Sequence, residues 1–191
     1  MKALGVMGSP RIGGNTDLLL DACLKGAETL GALPEKIRVH DLKIAPCREF
    51  YGCLKDGNCV IQDDMQQVYE KLLGADIVIV SSPMFFYGIP GQLKSLIDRC
   101  QALWARRFIL NQPPPSTGRK GAFVAVGATR GNNLFDGSIL TIKYLFKEIG
   151  VRYTDQLLVR GIDAKGEITN HPAAISEAFE LGRRLASDYY E

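Results

Sequence analysis

The sequence predicts an α/β protein in which one parallel sheet carries helices on both of its faces. Short apolar runs alternate with longer segments of helical periodicity along the chain, a pattern typical of parallel sheets. Loops rich in glycine and hydrogen-bonding residues follow the first, third and fourth of these runs. Ligands of such sheets bind at the carboxyl ends of the strands, so these loops are where we expect the chemistry.

Five apolar runs are the predicted strands. The first is ALGVM, which ends in glycine. The second alternates between apolar and polar residues and is expected nearer an edge of the sheet. The third, DIVIVSSP, is the most β-branched and is therefore expected at the centre. The predicted strands span residues 3–7, 36–42, 76–83, 121–129 and 151–162.

Five helices are expected between and after these strands. The first stops at Gly31, and the last starts with Pro172 near its first turn. Residues 43–61 are irregular, and 110–121 form a loop because three prolines there forbid both helix and sheet. The predicted helices span residues 16–30, 63–74, 92–108, 134–150 and 172–190.

The composition is that of an ordinary globular protein of 191 residues, with 46% apolar residues. Its 23 basic and 21 acidic residues are scattered, which gives no support for a nucleic-acid-binding face. No apolar stretch approaches the roughly 20 residues of a membrane span. The short apolar run at the N-terminus does not resemble a signal peptide. We therefore expect a single cytoplasmic domain over residues 1–191.

The loop GSPRIGGNT, at residues 8–16, joins the first strand to the first helix. It is neither a Walker A loop nor a G-x-G-x-x-G turn. Its polar side chains, its two glycines and the free N–H groups of the following helix suit a terminal phosphate group. The alternative is that the same residues only cap the helix and turn the chain. The candidate donors are Ser9, Arg11, Asn15 and Thr16.

Two loops resemble one known family. GSPRIGGNT resembles the phosphate loop of the NAD(P)H-dependent FMN reductase branch of flavodoxin-like proteins, written G-S-x-R-x-x-S/G-N-T. SSPMFFYGIPGQLKSLIDR, at residues 81–99, is similar to the second flavin loop of that branch. By motif the resemblance spans about the first 135 residues. It implies a flavodoxin-like three-layer sandwich, with a five-stranded parallel sheet of order 2-1-3-4-5, and non-covalent FMN.

The resemblance also implies a set of flavin-binding residues. Ser9, Arg11, Asn15 and Thr16 would hold the phosphate. An apolar and aromatic wall suits the flat flavin ring, although core packing is the other interpretation of these aromatic residues. The residues that would line the ring are Pro83, Met84, Phe85, Phe86, Tyr87 and Gly88. Those that would approach its other edge are Thr129, Arg130 and Gly131.

The segment IAPCREFYGC…GNCVIQDDM resembles the iron–sulfur flavoproteins, which use four closely spaced cysteines. Cys47, Cys53 and Cys59 occupy the first, third and fourth of these places. Phe50, which cannot bind iron, stands in the second, whereas a [4Fe-4S] cluster normally takes four thiolates. We expect no metal here, with a three-cysteine cluster as the next possibility. A zinc site completed by His40 comes third, because the cysteine spacing is wider than structural zinc favours.

The predicted activity is that of an FMN-dependent oxidoreductase, which takes reducing equivalents from NAD(P)H and reduces a small acceptor such as a quinone or a flavin. The alternative is an electron-transfer protein like the iron–sulfur flavoproteins, reduced by a ferredoxin-type partner. No acid–base residue is needed, because hydride passes between stacked rings. The resemblance implies a homodimer or homotetramer, with the partner chain expected at residues 104–117, near Trp104 and Phe108. Asp98 and Arg99 are expected to serve helix packing or a subunit contact.

Overall fold

The computed structural model describes residues 1–187, which contain a five-stranded sheet of order β2-β1-β3-β4-β5. All four strand pairings are parallel. The predicted fold class and strand order are therefore confirmed. The strands are β1 (Lys2–Met7), β2 (Leu33–Arg38), β3 (Ile77–Pro83), β4 (Lys120–Gly127) and β5 (Arg152–Arg160).

Helices cover both faces of the sheet. Apolar residues of α1 and α7 pack on one face, and those of α3 to α6 pack on the other. The helices are α1 (Asn15–Glu28), α2 (Cys53–Asp56), α3 (Met65–Gly74), α4 (Gly91–Arg99), α5 (Gln101–Trp104), α6 (Asp136–Glu148) and α7 (Pro172–Ser187). Short 3-10 helices lie at Val39–Asp41 and Glu167–Asn170, and a π-helix lies at Ala105–Ile109. No helix within residues 1–187 is long and apolar enough to cross a bilayer.

The prediction for the second strand was wrong by three residues at its start. Pairing with β1 begins at Leu33, opposite Lys2, and ends at Arg38. The chain then turns through the 3-10 helix Val39–Asp41, so the predicted strand residues 39–42 do not belong to the sheet. The apolar alternation that suggested residues 36–42 continues into this turn, where Val39 is buried without belonging to the sheet.

The predicted helix over 92–108 is three pieces rather than one. α4 ends at Arg99, α5 starts at Gln101, and the chain then widens into the π-helix Ala105–Ile109. There the N–H of Leu110 donates to the carbonyl of Ala105, five residues earlier, at 3.0 Å. The predicted last helix is present from Pro172, and its final three positions, 188–190, lie outside the described residues.

The two central strands, β3 and β4, are buried along nearly their whole length. Because helices cover both faces of these strands, every side chain is shielded from water, which explains their continuous apolar sequences. β2 and β5 stand at the edges and are more exposed. The prediction that DIVIVSSP lies at the centre is therefore confirmed.

The loops that follow β1, β3 and β4 meet at the carboxyl end of the sheet. The N–H of Gly8 donates to the carbonyl of Ser81 at 2.8 Å, and the N–H of Met84 donates to the carbonyl of Val126 at 3.0 Å. Gly8 permits this approach, since a Cβ at that position would lie 2.6 Å from Leu93 Cδ2 and 2.9 Å from the Ser81 carbonyl oxygen. The carboxyl ends of three strands are thereby held together.

Candidate functional site

The first loop turns tightly into α1 and leaves the start of that helix open. The N–H of Gly14 donates to the carbonyl of Arg11 at 2.9 Å, and the N–H of Arg11 donates to Ser9 Oγ at 3.1 Å. Gly14 precedes the helix without any side-chain cap. Because the first N–H groups of a helix have no intrahelical acceptor, they are available to an anion.

A buried carboxylate, that of Asp17, holds this loop in shape. Asp17 accepts a hydrogen bond from the N–H of Gly13 and forms an ion pair with Lys36 Nζ, both at 2.8 Å. Burial lowers the pKa of Lys36, but its hydrogen bonds to Asp17 and Asp21 outweigh that effect and raise it. Lys36 therefore stays protonated and neutralises Asp17, a role that no pattern in the sequence indicated.

A pocket of about 90 Å³ opens between the first loop and the second. It brings together seven of the residues that the resemblance implied for flavin binding. These are Ser9, Arg11, Asn15, Thr16, Pro83, Met84 and Phe85. Hydroxyl and guanidinium groups lie on the side of α1, and apolar groups lie on the side of β3. The donor set on the α1 side fits a phosphate group.

The side chain of Asn15 is used within the protein. Its Nδ2 donates to the carbonyl of Ala164 at 2.9 Å, and its Oδ1 accepts from the N–H of Ile168 at 3.0 Å. The loop after β5 therefore uses the amide oxygen and one of the two Nδ2 hydrogens. The second Nδ2 hydrogen and the backbone N–H of Asn15 are the donors left for a phosphate.

The loop after β5 supplies pocket residues that the sequence analysis missed. Ile162, Asp163 and Lys165 line the pocket. Arg11 Nη1 donates to the carbonyl of Asp163 at 3.4 Å, and Lys165 Cε lies 3.8 Å from the place of a Cβ on Gly13. The only sequence signal was the polar stretch DAKG directly after an apolar run, at the carboxyl end of an edge strand.

The second loop contains a tight turn with two strained aromatic residues. The N–H of Phe85 donates to the carbonyl of Gly88 and the N–H of Gly88 to the carbonyl of Phe85, both at 2.9 Å. Between them, Phe86 and Tyr87 have φ angles of +49° and +60°. All three aromatic side chains are exposed, Phe86 completely. Core packing therefore does not explain them, and strain of this kind clusters at ligand sites.

The third loop contributes Ala128 to the pocket, but the residues of this loop that the resemblance implied, Thr129, Arg130 and Gly131, do not line it. Thr129 and Arg130 are exposed. Gly131 faces the ring of Tyr87, because a Cβ on this glycine would lie 2.6 Å from Tyr87 Oη. Of these residues, Gly131 lies beside the aromatic turn, whereas the guanidinium of Arg130 lies against Gly161, just after β5.

The three clustered cysteines do not fit a four-thiolate cluster. Cys47, Cys53 and Cys59 are partly buried, and Phe50 is 60% exposed. Within residues 1–187, no three histidine, cysteine, aspartate or glutamate side chains converge in a metal-binding arrangement. Burial, and then the neighbouring Cys59, raise the pKa of the Cys53 thiol, which opposes the thiolate form that binds metals.

Arg99 fixes both ends of the cysteine loop, which we define as residues 45–63. Its Nη1 donates to the carbonyl of Ala45 at 2.8 Å and to Asp63 Oδ2 at 2.7 Å. Its Nη2 donates to the carbonyl of Ile61 at 3.0 Å and to Asp63 Oδ1 at 3.1 Å. Burial acts to raise the pKa of Asp63, but the Arg99 hydrogen bonds outweigh it and lower that pKa. Within this chain, Arg99 is therefore a packing residue.

The strand order and the meeting of the two loops at one pocket agree with the family that these loops resemble. A family model described as NADPH-dependent FMN reductase matches residues 1–135. The chain belongs to this family, and FMN is the cofactor of the family.

Individual proteins that are similar to this chain agree with the family and the fold. An iron–sulfur flavoprotein of Methanosarcina thermophila is 35% identical over 130 residues, which cover 68% of this chain and 65% of that one. YwqN of Bacillus subtilis (strain 168), described as an NAD(P)H-dependent FMN-containing oxidoreductase, is 28% identical over 185 residues, covering 96% and 98%. A solved archaeal flavodoxin, 20% identical over the whole of both chains, has the same fold with a TM-score of 0.60.

Proposed function

We propose that this protein is an FMN-dependent NAD(P)H oxidoreductase that reduces a small acceptor such as a quinone or a flavin. The supporting observation is the pocket at the carboxyl ends of β1 and β3, with phosphate-type donors on one side and a strained, exposed aromatic turn on the other. Bound FMN supplies the redox chemistry, since it accepts hydride from a nicotinamide and passes electrons on.

In this proposal the chain binds and orients the flavin. Ser9, Arg11 and Thr16, with the open N–H groups of α1, hold the phosphate. The turn from Pro83 to Gly88 forms a wall along the ring, and Thr129, Arg130 and Gly131 approach it from the third loop. Because Phe86 is wholly exposed, the outer side of the turn leaves room for a nicotinamide or an acceptor to approach. No side chain is required to move a proton.

The test is an absorption spectrum after incubation with FMN, followed by anaerobic stopped-flow reduction with NADH or NADPH. We expect uptake of FMN and fast bleaching of its visible absorbance. A protein that remains colourless in excess FMN would contradict the proposal.

A second candidate function is electron transfer from a ferredoxin-type partner. It is favoured by the three retained cysteines and by the similarity to an iron–sulfur flavoprotein, although Phe50 opposes it. Bound FMN that is reduced by a reduced ferredoxin, and not by NADH or NADPH, would favour this candidate over the first.

The same proposal includes a homodimer or homotetramer in a cytoplasmic location. Exposed apolar side chains lie on the π-helix and on the outer face of α6, as expected for a surface that a second subunit covers. They are Phe108, Ile109, Leu140 and Tyr144. Sedimentation velocity of the flavin-loaded protein measures the oligomeric state, and a monomer at micromolar concentration would contradict this part.

A further inference from the structure

We propose that the loop after β5 forms a roof over the phosphate pocket, and that its Lys165 makes the pocket selective for FMN over riboflavin and FAD. We define the roof as residues 162–168. This inference rests on the proposed FMN site and assigns to it a cation and a specificity that the phosphate-loop motif does not contain.

The roof is attached to the phosphate loop at two points. Asn15 accepts a hydrogen bond from the N–H of Ile168 and donates one to the carbonyl of Ala164. Arg11 donates to the carbonyl of Asp163 at 3.4 Å. The roof therefore lies directly against the residues that would hold a phosphate, even though about 150 positions separate the two loops in the sequence.

The roof is also held together by hydrogen bonds of its own. Glu167 Oε2 accepts from the N–H of Asp163 at 3.0 Å and from the N–H of Ala164 at 2.9 Å. These two hydrogen bonds lower the pKa of Glu167, so its carboxylate stays ionised and keeps the turn closed. Ile168 is fully buried and anchors the far end of the roof in the core.

Lys165 determines whether the charged side chains that line the pocket carry a net positive charge, which a phosphate needs. The charged side chains among the lining residues are Arg11, Lys165 and Asp163. Together they carry a net charge of +1, and without Lys165 they would carry none. Of the neighbouring charges, Asp17 is paired with Lys36, and Glu167 is bound to the roof amides. A phosphate monoester carries about −1.5 to −2 at pH 7, whereas riboflavin has no phosphate, so Lys165 favours FMN over riboflavin.

In this proposal the roof, and not the volume of the pocket, separates FMN from FAD. The roof is hydrogen-bonded to Arg11 and Asn15, on the phosphate side of the pocket. FAD carries a diphosphate that continues to a nucleoside, and this extension would have to pass through the roof. Because Asn15 and Glu167 hold the roof closed, the pocket should exclude it.

The test is fluorescence titration of the flavin-free protein with FMN, riboflavin and FAD. We expect Lys165→Ala to weaken FMN binding about tenfold, the size of a lost charge-assisted hydrogen bond, and to leave riboflavin binding unchanged. Lys55→Ala, which removes an exposed lysine on the cysteine loop, is the matched control and should change neither. Glu167→Ala, which loosens the roof, should raise the affinity for FAD relative to FMN.

Two results would overturn the inference. Unchanged FMN binding in Lys165→Ala shows that the lysine does not contact the phosphate, and an equal loss for FMN and riboflavin shows a merely structural role. In both cases the wild-type protein still binds FMN, and the proposed function stands. A wild-type protein that binds no FMN would overturn the proposed function and this inference together.

Discussion

Individual residues show where this chain departs from the lowest-energy choice for its backbone. Phe86 and Tyr87 occupy the two central positions of a tight turn, where positive φ angles favour glycine and asparagine. The side chain of Phe86 is also wholly exposed and that of Tyr87 about half exposed, so neither burial nor backbone preference accounts for them. We attribute both the unfavourable backbone conformation and the exposure of these aromatic side chains to the flavin ring that they would face.

Phe86→Asn should therefore stabilise the flavin-free protein and weaken flavin binding. Asparagine tolerates the left-handed conformation, so we expect a gain of about 1 kcal/mol in the free energy of unfolding. Loss of the aromatic contact, worth about 0.5–1.5 kcal/mol, should weaken FMN binding several-fold. Urea denaturation and fluorescence titration measure the two effects. Tyr51→Asn, at another exposed aromatic residue with a positive φ angle (+55°), is the matched control. It should gain similar stability and leave FMN binding unchanged. Unchanged FMN affinity in Phe86→Asn would remove this residue from the flavin wall.

Phe50 is the second residue whose identity decides a property of the protein. Phe50→Cys supplies the missing fourth thiol, so we expect this variant to gain iron and acid-labile sulfide after anaerobic reconstitution, up to about four of each per chain. The wild-type protein should contain little of either. Tyr51→Cys places a thiol one position away, on an equally exposed residue, and should not gain a cluster. A full cluster in the wild-type protein would contradict the prediction.

At the scale of elements, the chain depends on a few close contacts between segments far apart in sequence. Arg99 of α4 holds both ends of the cysteine loop. Gly26 of α1 and Gly182 of α7 let those two helices touch backbone to backbone, since a Cβ on Gly182 would lie 1.8 Å from the Cys23 carbonyl oxygen. Each contact has a testable energetic consequence.

Arg99→Met should destabilise the protein by about 3–5 kcal/mol at neutral pH, because it leaves the Asp63 carboxylate without its buried partner. Asp63 has a lowered pKa in the folded state, so its stabilising effect is present above its unfolded pKa of about 3.9 and is lost as the pH falls through the folded value. The difference between variant and wild type should accordingly shrink in acid.

Urea denaturation between pH 7 and pH 3 measures this difference. Lys94→Ala removes an exposed ion pair with Asp98 on the same helix and should cost less than about 1 kcal/mol. Equal costs for the Arg99 and Lys94 variants would show that burial of the Asp63 pair does not matter.

Gly182→Ala should destabilise the protein by about 1–3 kcal/mol, because the added methyl group pushes α7 away from α1. Alanine is otherwise favoured over glycine inside a helix by about 1 kcal/mol, so the sign of the effect distinguishes crowding from helix propensity. Gly91→Ala, at the start of α4 with nothing within 4 Å of the added Cβ, should be neutral or stabilising. Thermal denaturation compares the two, and a more stable Gly182→Ala would contradict the close packing.

At the scale of the whole molecule, flavin binding and folding should be coupled. The proposed site is built from loops after β1, β3 and β5, so it exists only when the sheet is complete. A ligand that binds only the folded state at a concentration 100 times its Kd adds about 2.7 kcal/mol to the free energy of unfolding. We expect FMN to raise the thermal midpoint on this scale and riboflavin, at the same concentration, to raise it less. Equal shifts would argue against a phosphate pocket.

Much of this architecture could be predicted from the sequence alone. Hydrophobic periodicity distinguishes strand from helix over a few residues, and it identified all five strands and placed DIVIVSSP in the middle of the sheet. The glycines and hydrogen-bonding residues of GSPRIGGNT indicated an anion at the first helix, because turn chemistry and the start of a helix are also local. Where the pattern ran on past the sheet, at Val39, the boundary was wrong.

The tertiary structure decided what joins distant segments. Pairing with β1 sets where β2 begins. Asn15 contacts Ile168 only because the parallel sheet places the carboxyl ends of β1 and β5 on the same side of the molecule. Lys165 and Arg99 lie on separate elements whose own patterns show only a polar loop and the end of a helix. Preferences for strand, helix or turn depend on neighbouring residues in the sequence. The contacts between distant segments depend on strand order and register, which no short stretch of sequence specifies.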